Sequence, residues 1–235
     1  MQRVLGDDMA ERQSAEITWR DGGIPVSTRF DDPYFSLENG LQETRHVFLA
    51  GNGLPGRFRS GFHIAELGFG TGLNMLAALI SWRHSGVGGA LRYTSFEAFP
   101  MAAGDIAAAL DAFPEARAVA GPFLDAWARD ERRFAYDGIE VEVIVGDARD
   151  TLPEWTGRAD AWFLDGFSPA KNPELWGPDL MAEVARHTAP DGTAASYTAA
   201  GFVRRGLEDA GFNVSREPGF GRKRHMTVAR LGPGA

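Results

Sequence analysis

Four acidic residues, Glu66, Glu97, Asp147 and Asp165, each stand at the end of a short apolar run, and the first run passes straight into Gly68-Phe69-Gly70-Thr71-Gly72. Glycines at alternate positions let the backbone approach a ligand and adopt angles that a Cβ would forbid, while a helix beginning at Leu73-Asn74 presents unpaired N–H groups. A dinucleotide fingerprint, G-x-G-x-x-G, would need its third glycine where this chain has Leu73. A carboxylate at Glu97 can accept hydrogen bonds from both ribose hydroxyls of a nucleoside, and Asp147, followed by Ala148, can bind the exocyclic amine of adenine. Asp165 leads the run Gly166-Phe167-Ser168-Pro169-Ala170-Lys171-Asn172-Pro173, whose prolines stiffen the loop. There a carboxylate can orient an amine and draw off its proton, and Phe167 offers an aromatic face to a base or a cation. Core packing is the competing role for Phe167 and the expected one for Trp162 and Trp176.

Side chains delivered in this way need strands that end along one edge. From Phe62 onward, short apolar runs alternate with longer stretches of helical spacing, the pattern of βαβ units. Strands are expected at 62–67, 91–96, 140–145, 159–164, 193–197, 213–216 and 224–229. Helices are expected at 73–84, 101–112, 178–188 and 201–210, with a shorter one at 123–132. These elements imply an α/β, Rossmann-like fold: a mainly parallel seven-stranded sheet, helices on both faces, an antiparallel final pair, and ligands gathered at the strands' carboxyl ends. Ahead of it, residues 1–14 read as frayed. Residues 15–29 read as a hairpin in which Thr18-Trp19 and Val26-Ser27-Thr28 flank the turn Asp21-Gly22-Gly23. Helical spacing then covers 40–49, and a Gly/Pro-rich loop covers 51–61. The expected division is an N-terminal extension, 1–61, packed on a main domain, 62–235.

The 235 residues, 44% hydrophobic and 24% charged, suffice for one such domain with its own core. The absence of cysteine removes disulfides, thiolate metal sites and cysteine nucleophiles, and the five histidines show no metal-ligand spacing, so no metal is assigned. No apolar run approaches the roughly 18 to 20 residues of a membrane span, and residues 1–13 do not read as a signal peptide, so a cytoplasmic protein is expected. The net charge of −8 is uneven: from Gly201 onward seven Lys or Arg face three Asp or Glu, a balance of +4, which leaves −12 on residues 1–200. A basic end of this kind, densest at Arg222-Lys223-Arg224, fits a local docking patch for a phosphate-rich partner.

The glycine spacing after Glu66 resembles the first motif of S-adenosylmethionine-dependent methyltransferases. The Asp165 loop resembles the D-P-P-Y loop of amino-group methyltransferases, with Gly166-Phe167-Ser168 departing from its letters. Longer stretches are similar to one family, the methyltransferase half of the tRNA 5-methylaminomethyl-2-thiouridine biosynthesis bifunctional proteins. They are Phe30-Asp31-Asp32-Pro33-Tyr34-Phe35-Ser36, Asn39-Gly40-Leu41-Gln42-Glu43-Thr44-Arg45, Gly68 to Asn74, Trp162 to Pro173, Ala200 to Leu207 and Gly219 to Arg224. The resemblance implies a class I methyltransferase that holds S-adenosylmethionine through Glu66, Gly68, Phe69, Gly70, Thr71, Gly72, Asn74, Glu97, Asp147 and Ala148. It implies methyl transfer to the amine of 5-aminomethyl-2-thiouridine at the tRNA wobble position, with Asp165 and Phe167 at the amine. The anticodon loop would be held on its phosphates by Lys171, Arg204, Arg205, Arg222, Lys223 and Arg224, and Tyr34 and Phe35 would close over cofactor or base or else pack in the core. The family's oxidase half would lie beyond this chain, so no flavin is expected and a separate enzyme would supply the aminomethyl substrate. An aminopropyltransferase using a related sulfonium, and a catalytically silent RNA-binding module, are the alternative readings.

Overall fold

The computed structural model describes residues 14–20, 23–36 and 39–233. Residues 1–13, most of the segment expected to fray, and Asp21-Gly22 of the expected turn lie outside the described residues. The strands flanking that turn do pair: β1 (Ile17–Arg20) runs antiparallel to β2 (Ile24–Ser27) with Thr18 opposite Val26, and β2 pairs in turn with β3 (Asp32–Pro33). The segment 28–36 beyond β2 forms a strap that leads to α1 (Gly40–Thr44). Asn39 caps α1 by accepting a hydrogen bond from the Gln42 N–H at 3.1 Å. The helical spacing expected to Leu49 continues as a widened π turn over Arg45–Leu49.

The main sheet and its helices follow in the order β4 (His63–Leu67), α2 (Leu73–Ser85), β5 (Leu91–Glu97), α3 (Ala103–Leu110), α4 (Pro114–Val119), α5 (Gly121–Ala128), β6 (Arg133–Tyr136), β7 (Ile139–Val145), α6 (Ala148–Glu154), β8 (Ala159–Leu164), α7 (Pro178–Arg186), β9 (Thr188–Ser196), α8 (Gly201–Asp209), β10 (Phe212–Pro218) and β11 (His225–Leu231). The strand order is β10-β11-β9-β8-β4-β5-β7-β6. The five central strands run parallel, while β11 is antiparallel to both β9 and β10. The mainly parallel α/β fold is therefore the one expected, with eight strands in this sheet rather than seven. The eighth is β6, which pairs antiparallel with β7 across Asp137-Gly138, both at positive φ. An Asp-Gly turn between alternating residues is a hairpin signal, obscured here by the helical spacing just upstream. The helix expected over 123–132 accordingly ends at Ala128.

Side chains alternate across each strand, so β4 and β8 feed two cores. Ile64, Ala161 and Phe163 pack under α2 with Leu41, Val47 and Phe48, whereas Ala65, Leu67, Trp162 and Leu164 pack against α6, α7 and α8. The first of these cores joins residues before and after position 62. Trp162 and Trp176 are fully buried, as core packing requires. Among the described residues no helix is long and apolar enough to cross a membrane.

Candidate active site

A cleft of about 660 Å³ opens where β4, β5, β7, β8 and β9 end, and residues that follow each of these strands line it. This is the edge to which a parallel sheet brings its ligands. The loop after β4 enters with Gly68 at φ +88°, Gly70 at +53° and Gly72 at +73°. The first of these is dictated by close approach, because a Cβ on Gly68 would stand 2.1 Å from the carbonyl oxygen of Asp165. On Gly70 it would meet the Tyr34 ring at 3.2 Å. The absence of side chains thus leaves a cradle at the mouth of α2. Glu97, at the end of β5, fixes this cradle: its two carboxylate oxygens accept the Gly70 N–H at 2.9 Å and the Phe99 N–H at 2.8 Å. Burial raises the Glu97 pKa, and those backbone donors oppose the shift. Each carboxylate oxygen keeps a lone pair, so Glu97 can still accept from ribose hydroxyls.

Glu66 is placed differently from the sequence expectation. It shares a strand face with Ile64, the face covered by α2, and is 0% exposed; it does not line the cleft. Instead it accepts the Asn74 amide at 2.9 Å and the Ser95 hydroxyl at 2.8 Å, and burial pushes its pKa well up. Asn74 is the centre of the arrangement. Its Oδ1 accepts the Thr44 hydroxyl at 2.7 Å, and its Nδ2 donates both to Glu66 and, at 2.6 Å, to Asp165 Oδ2. One amide therefore ties the glycine loop's helix to the carboxylate after β8. Asn74→Ala is expected to lower stability by about 2 to 3 kcal/mol, because two shielded carboxylates lose a donor together. Urea unfolding monitored by tryptophan fluorescence checks this, and an unchanged midpoint would refute it.

Asp165 stands on the cleft floor with its pKa pushed up to about 7 by burial; the Asn74 hydrogen bond and the Lys223 charge pull it down, and Glu43 pushes it up. Phe167 lies beside it but is not a free face. It stacks on Phe30 at 4.7 Å and meets Tyr34 edge-on at 5.1 Å, so the strap and the Asp165 loop share one aromatic cluster. The same two segments are latched by polar bonds, from the Ser168 N–H to Asp32 at 2.8 Å and from Lys171 to Asp31 at 2.9 Å. Tyr34 lines the cleft, whereas Phe35, also on its wall, packs its ring on Phe113 at 4.9 Å. Asp147 caps α6 and is gripped by Arg149, which lowers its pKa; Asp147, Ala148 and Arg149 all face the cleft.

Of the remaining expected cofactor residues, Phe69 and Thr71 line the cleft although both are buried, and the Phe69 ring stacks on Trp127 at 5.0 Å, in the core. Gly72 does not line it and serves as the N-cap of α2. The six basic residues divide. Lys171 and Lys223 line the cleft; Arg204 and Arg205 on α8, and Arg222 and Arg224 in the β10–β11 turn, do not. Lys223 pairs with Glu43 at 2.7 Å and sits 4.1 Å over the Tyr197 ring, so it is engaged inside the site. Glu43, Thr44, Asp32 and Tyr197 were not singled out as site residues from the sequence. Tyr197 carries the one general signal, a polar residue directly after a parallel strand. Glu43 and Thr44 sit on a helix before the sheet, and nothing local announces that this helix turns toward the cleft.

Residues 114–232 match the model of a family described as S-adenosyl-L-methionine-dependent methyltransferases. The chain belongs to that family. The glycine cradle, the carboxylate after β5 and the size of the cleft fit S-adenosylmethionine, whose role is to supply an electrophilic methyl group on sulfur. This methyltransferase is 46% identical over 229 residues, 93% of the chain, to a Pseudomonas aeruginosa protein named tRNA 5-methylaminomethyl-2-thiouridine biosynthesis bifunctional protein MnmC. It is 45% identical over 94% of the chain to the protein of the same name from Caulobacter vibrioides. The chain spans 35% and 39% of those relatives' lengths. Among solved structures, that of MnmC2 from Aquifex aeolicus superposes with a TM-score of 0.72 at 26% identity, covering 94% of this chain and 72% of that one.

Proposed function

We propose that this methyltransferase transfers a methyl group to the primary amine of 5-aminomethyl-2-thiouridine at the tRNA wobble position, giving 5-methylaminomethyl-2-thiouridine. The observation that carries the reading is Asp165: a carboxylate on the floor of the cofactor cleft, bonded to Asn74 from the glycine loop's helix and next to Phe167. The names of the relatives from Pseudomonas aeruginosa and Caulobacter vibrioides supply the amine's chemical identity. The amine nitrogen attacks the methyl carbon, the C–S electron pair stays on sulfur, and the proton released from nitrogen passes to Asp165. Alignment of nitrogen, carbon and sulfur supplies much of the acceleration. Arg204, Arg205, Arg222 and Arg224 are assigned to phosphates of the anticodon loop, outside the cleft itself. A separate enzyme provides the aminomethyl group, and the reaction takes place in the cytoplasm.

Nucleoside mass spectrometry of tRNA from cells lacking this protein tests the reading. Accumulation of 5-aminomethyl-2-thiouridine, reversed by restoring the gene, is the expected result. If the aminomethyl nucleoside does not accumulate, the substrate is wrong.

A further inference from the structure

The turn joining β10 and β11 places a lysine ammonium in a site whose reaction begins with an amine. Lys223 Nζ bonds Glu43 Oε1 at 2.7 Å and lies 4.1 Å from the centre of the Tyr197 ring. Tyr197 is fixed in turn by its hydroxyl, which donates to the Gly166 carbonyl at 2.7 Å, one residue from Asp165. Thr44, next to Glu43 on α1, donates to Asn74 and Asn74 to Asp165, so the pair lies one residue along the helix from the bonds that hold the Asp165 carboxylate. The Glu43 side chain is 11% exposed and that of Lys223 44%, so the pair reaches from the interior to the cleft. The titratable groups that feel the pair are Asp165 after β8, acted on by both charges, and Tyr197 after β9, which also feels Asp165 and Asp32 on the strap. The other cleft lysine, Lys171, is tied to Asp31.

An attacking amine must be neutral, yet carboxylates stabilise the ammonium form. Glu43 and Asp165 together would hold a bound aminomethyl group protonated and inert. Resting on the amine-methylation reading above, we propose that Lys223 cancels the charge of Glu43 and so keeps the substrate amine in its neutral, nucleophilic form, leaving Asp165 to receive the proton. Lys223 is then a positioning residue for charge and not a phosphate anchor.

The test uses the whole protein and tRNA bearing 5-aminomethyl-2-thiouridine. In K223M the acid limb of the kcat–pH profile is expected to move up by about one pH unit, the size of shift a nearby opposite charge produces. K223R, which keeps the charge, should retain the wild-type limb, and the double variant K223M/E43Q, with both charges removed, should return to it. E43Q alone leaves Lys223 unopposed and should move the limb down. A second readout needs no cofactor: below pH 7, K223M should bind aminomethyl tRNA up to about tenfold better relative to the same tRNA carrying plain 2-thiouridine, the counterpart of one pKa unit. An unmoved limb in K223M or in E43Q overturns the inference. So does a uniform loss of binding to both tRNAs in K223M, which would mark a phosphate contact. If wild-type protein leaves aminomethyl tRNA unmethylated, the substrate reading itself fails. A methylating wild type whose K223M and E43Q variants show no shift rejects only the role of the pair.

Discussion

Gly68→Ala is expected to abolish S-adenosylmethionine binding and, with it, methyl transfer, lowering affinity by more than about 100-fold, a loss of roughly 3 kcal/mol. Two costs add at this position. The backbone sits at φ +88°, where a Cβ costs about 1 to 2 kcal/mol. The added methyl would also stand 2.1 Å from the carbonyl oxygen of Asp165 and 3.2 Å from its carbonyl carbon. Neither atom can swing aside, because the Asp165 N–H is bonded to the Leu67 carbonyl at 3.1 Å and the Gly68 N–H to that of Phe96 at 2.9 Å. Relief requires the glycine loop and the Asp165 loop to separate, which takes the cofactor cradle and the Asp165 carboxylate out of register together. Gly23→Ala is the control: φ there is +77° but no atom lies within 4 Å of the added Cβ, so only the backbone cost applies. Calorimetric titration with S-adenosylmethionine decides the matter. Wild-type affinity in the Gly68 variant would show that the loop does not cradle the cofactor.

This contact between loops shows what was legible in the sequence and what was not. β4, β5 and β8 were legible because each is a largely buried run with a carboxylate or glycine at its end, and the sheet order then brings Glu97, Asp147 and Asp165 to one edge. Reading strands does not reveal which face a side chain takes. Glu66 stands one residue before the end of β4, on the face that α2 covers, so a residue expected at the cofactor instead anchors Asn74 from below. Contacts made across the fold were equally hidden. In sequence Lys223 belongs to a basic run, and its partner Glu43 lies 180 positions earlier in the chain. The strap was visible as a stretch resembling a known family, but its latch to the Asp165 loop depends on Asp31 and Asp32 meeting residues about 136 to 140 positions away. Spacing reports local periodicity, and these pairings have none.

Asp165→Asn is expected to lose turnover by about 100-fold or more near neutral pH, the usual contribution of a positioned proton acceptor, while becoming more stable in alkaline solution. The carboxyl of Asp165 is raised to about 7 in the folded protein, chiefly by burial, whereas in the unfolded chain it titrates near about 3.9. Below pH 4 both states hold the proton and the group costs nothing. Between pH 4 and 7 the unfolded chain ionises and the native state does not, so stability falls as pH rises. Above 7 the native carboxyl is ionised as well and the cost levels off. Asparagine is neutral throughout and keeps the Asn74 contact within reach, so the stability difference between variant and wild type should be near zero at pH 4 and grow to a plateau by pH 8, on the order of 4 kcal/mol. If Asp165 receives the amine's proton as proposed, its titration adds to that of the substrate amine in setting the acid limb, and turnover should fall as pH drops below 7. Thermal unfolding across pH 4 to 9, paired with single-turnover methylation, separates the two effects. Full turnover in the Asn variant would remove Asp165 from proton transfer, and a stability difference that does not vary with pH would contradict the raised pKa. On the proposed reaction, a residue that weakens the fold in its ionised state is what a site built around a developing ammonium requires. The charge that receives the proton has to be held where the rest of the protein would exclude it.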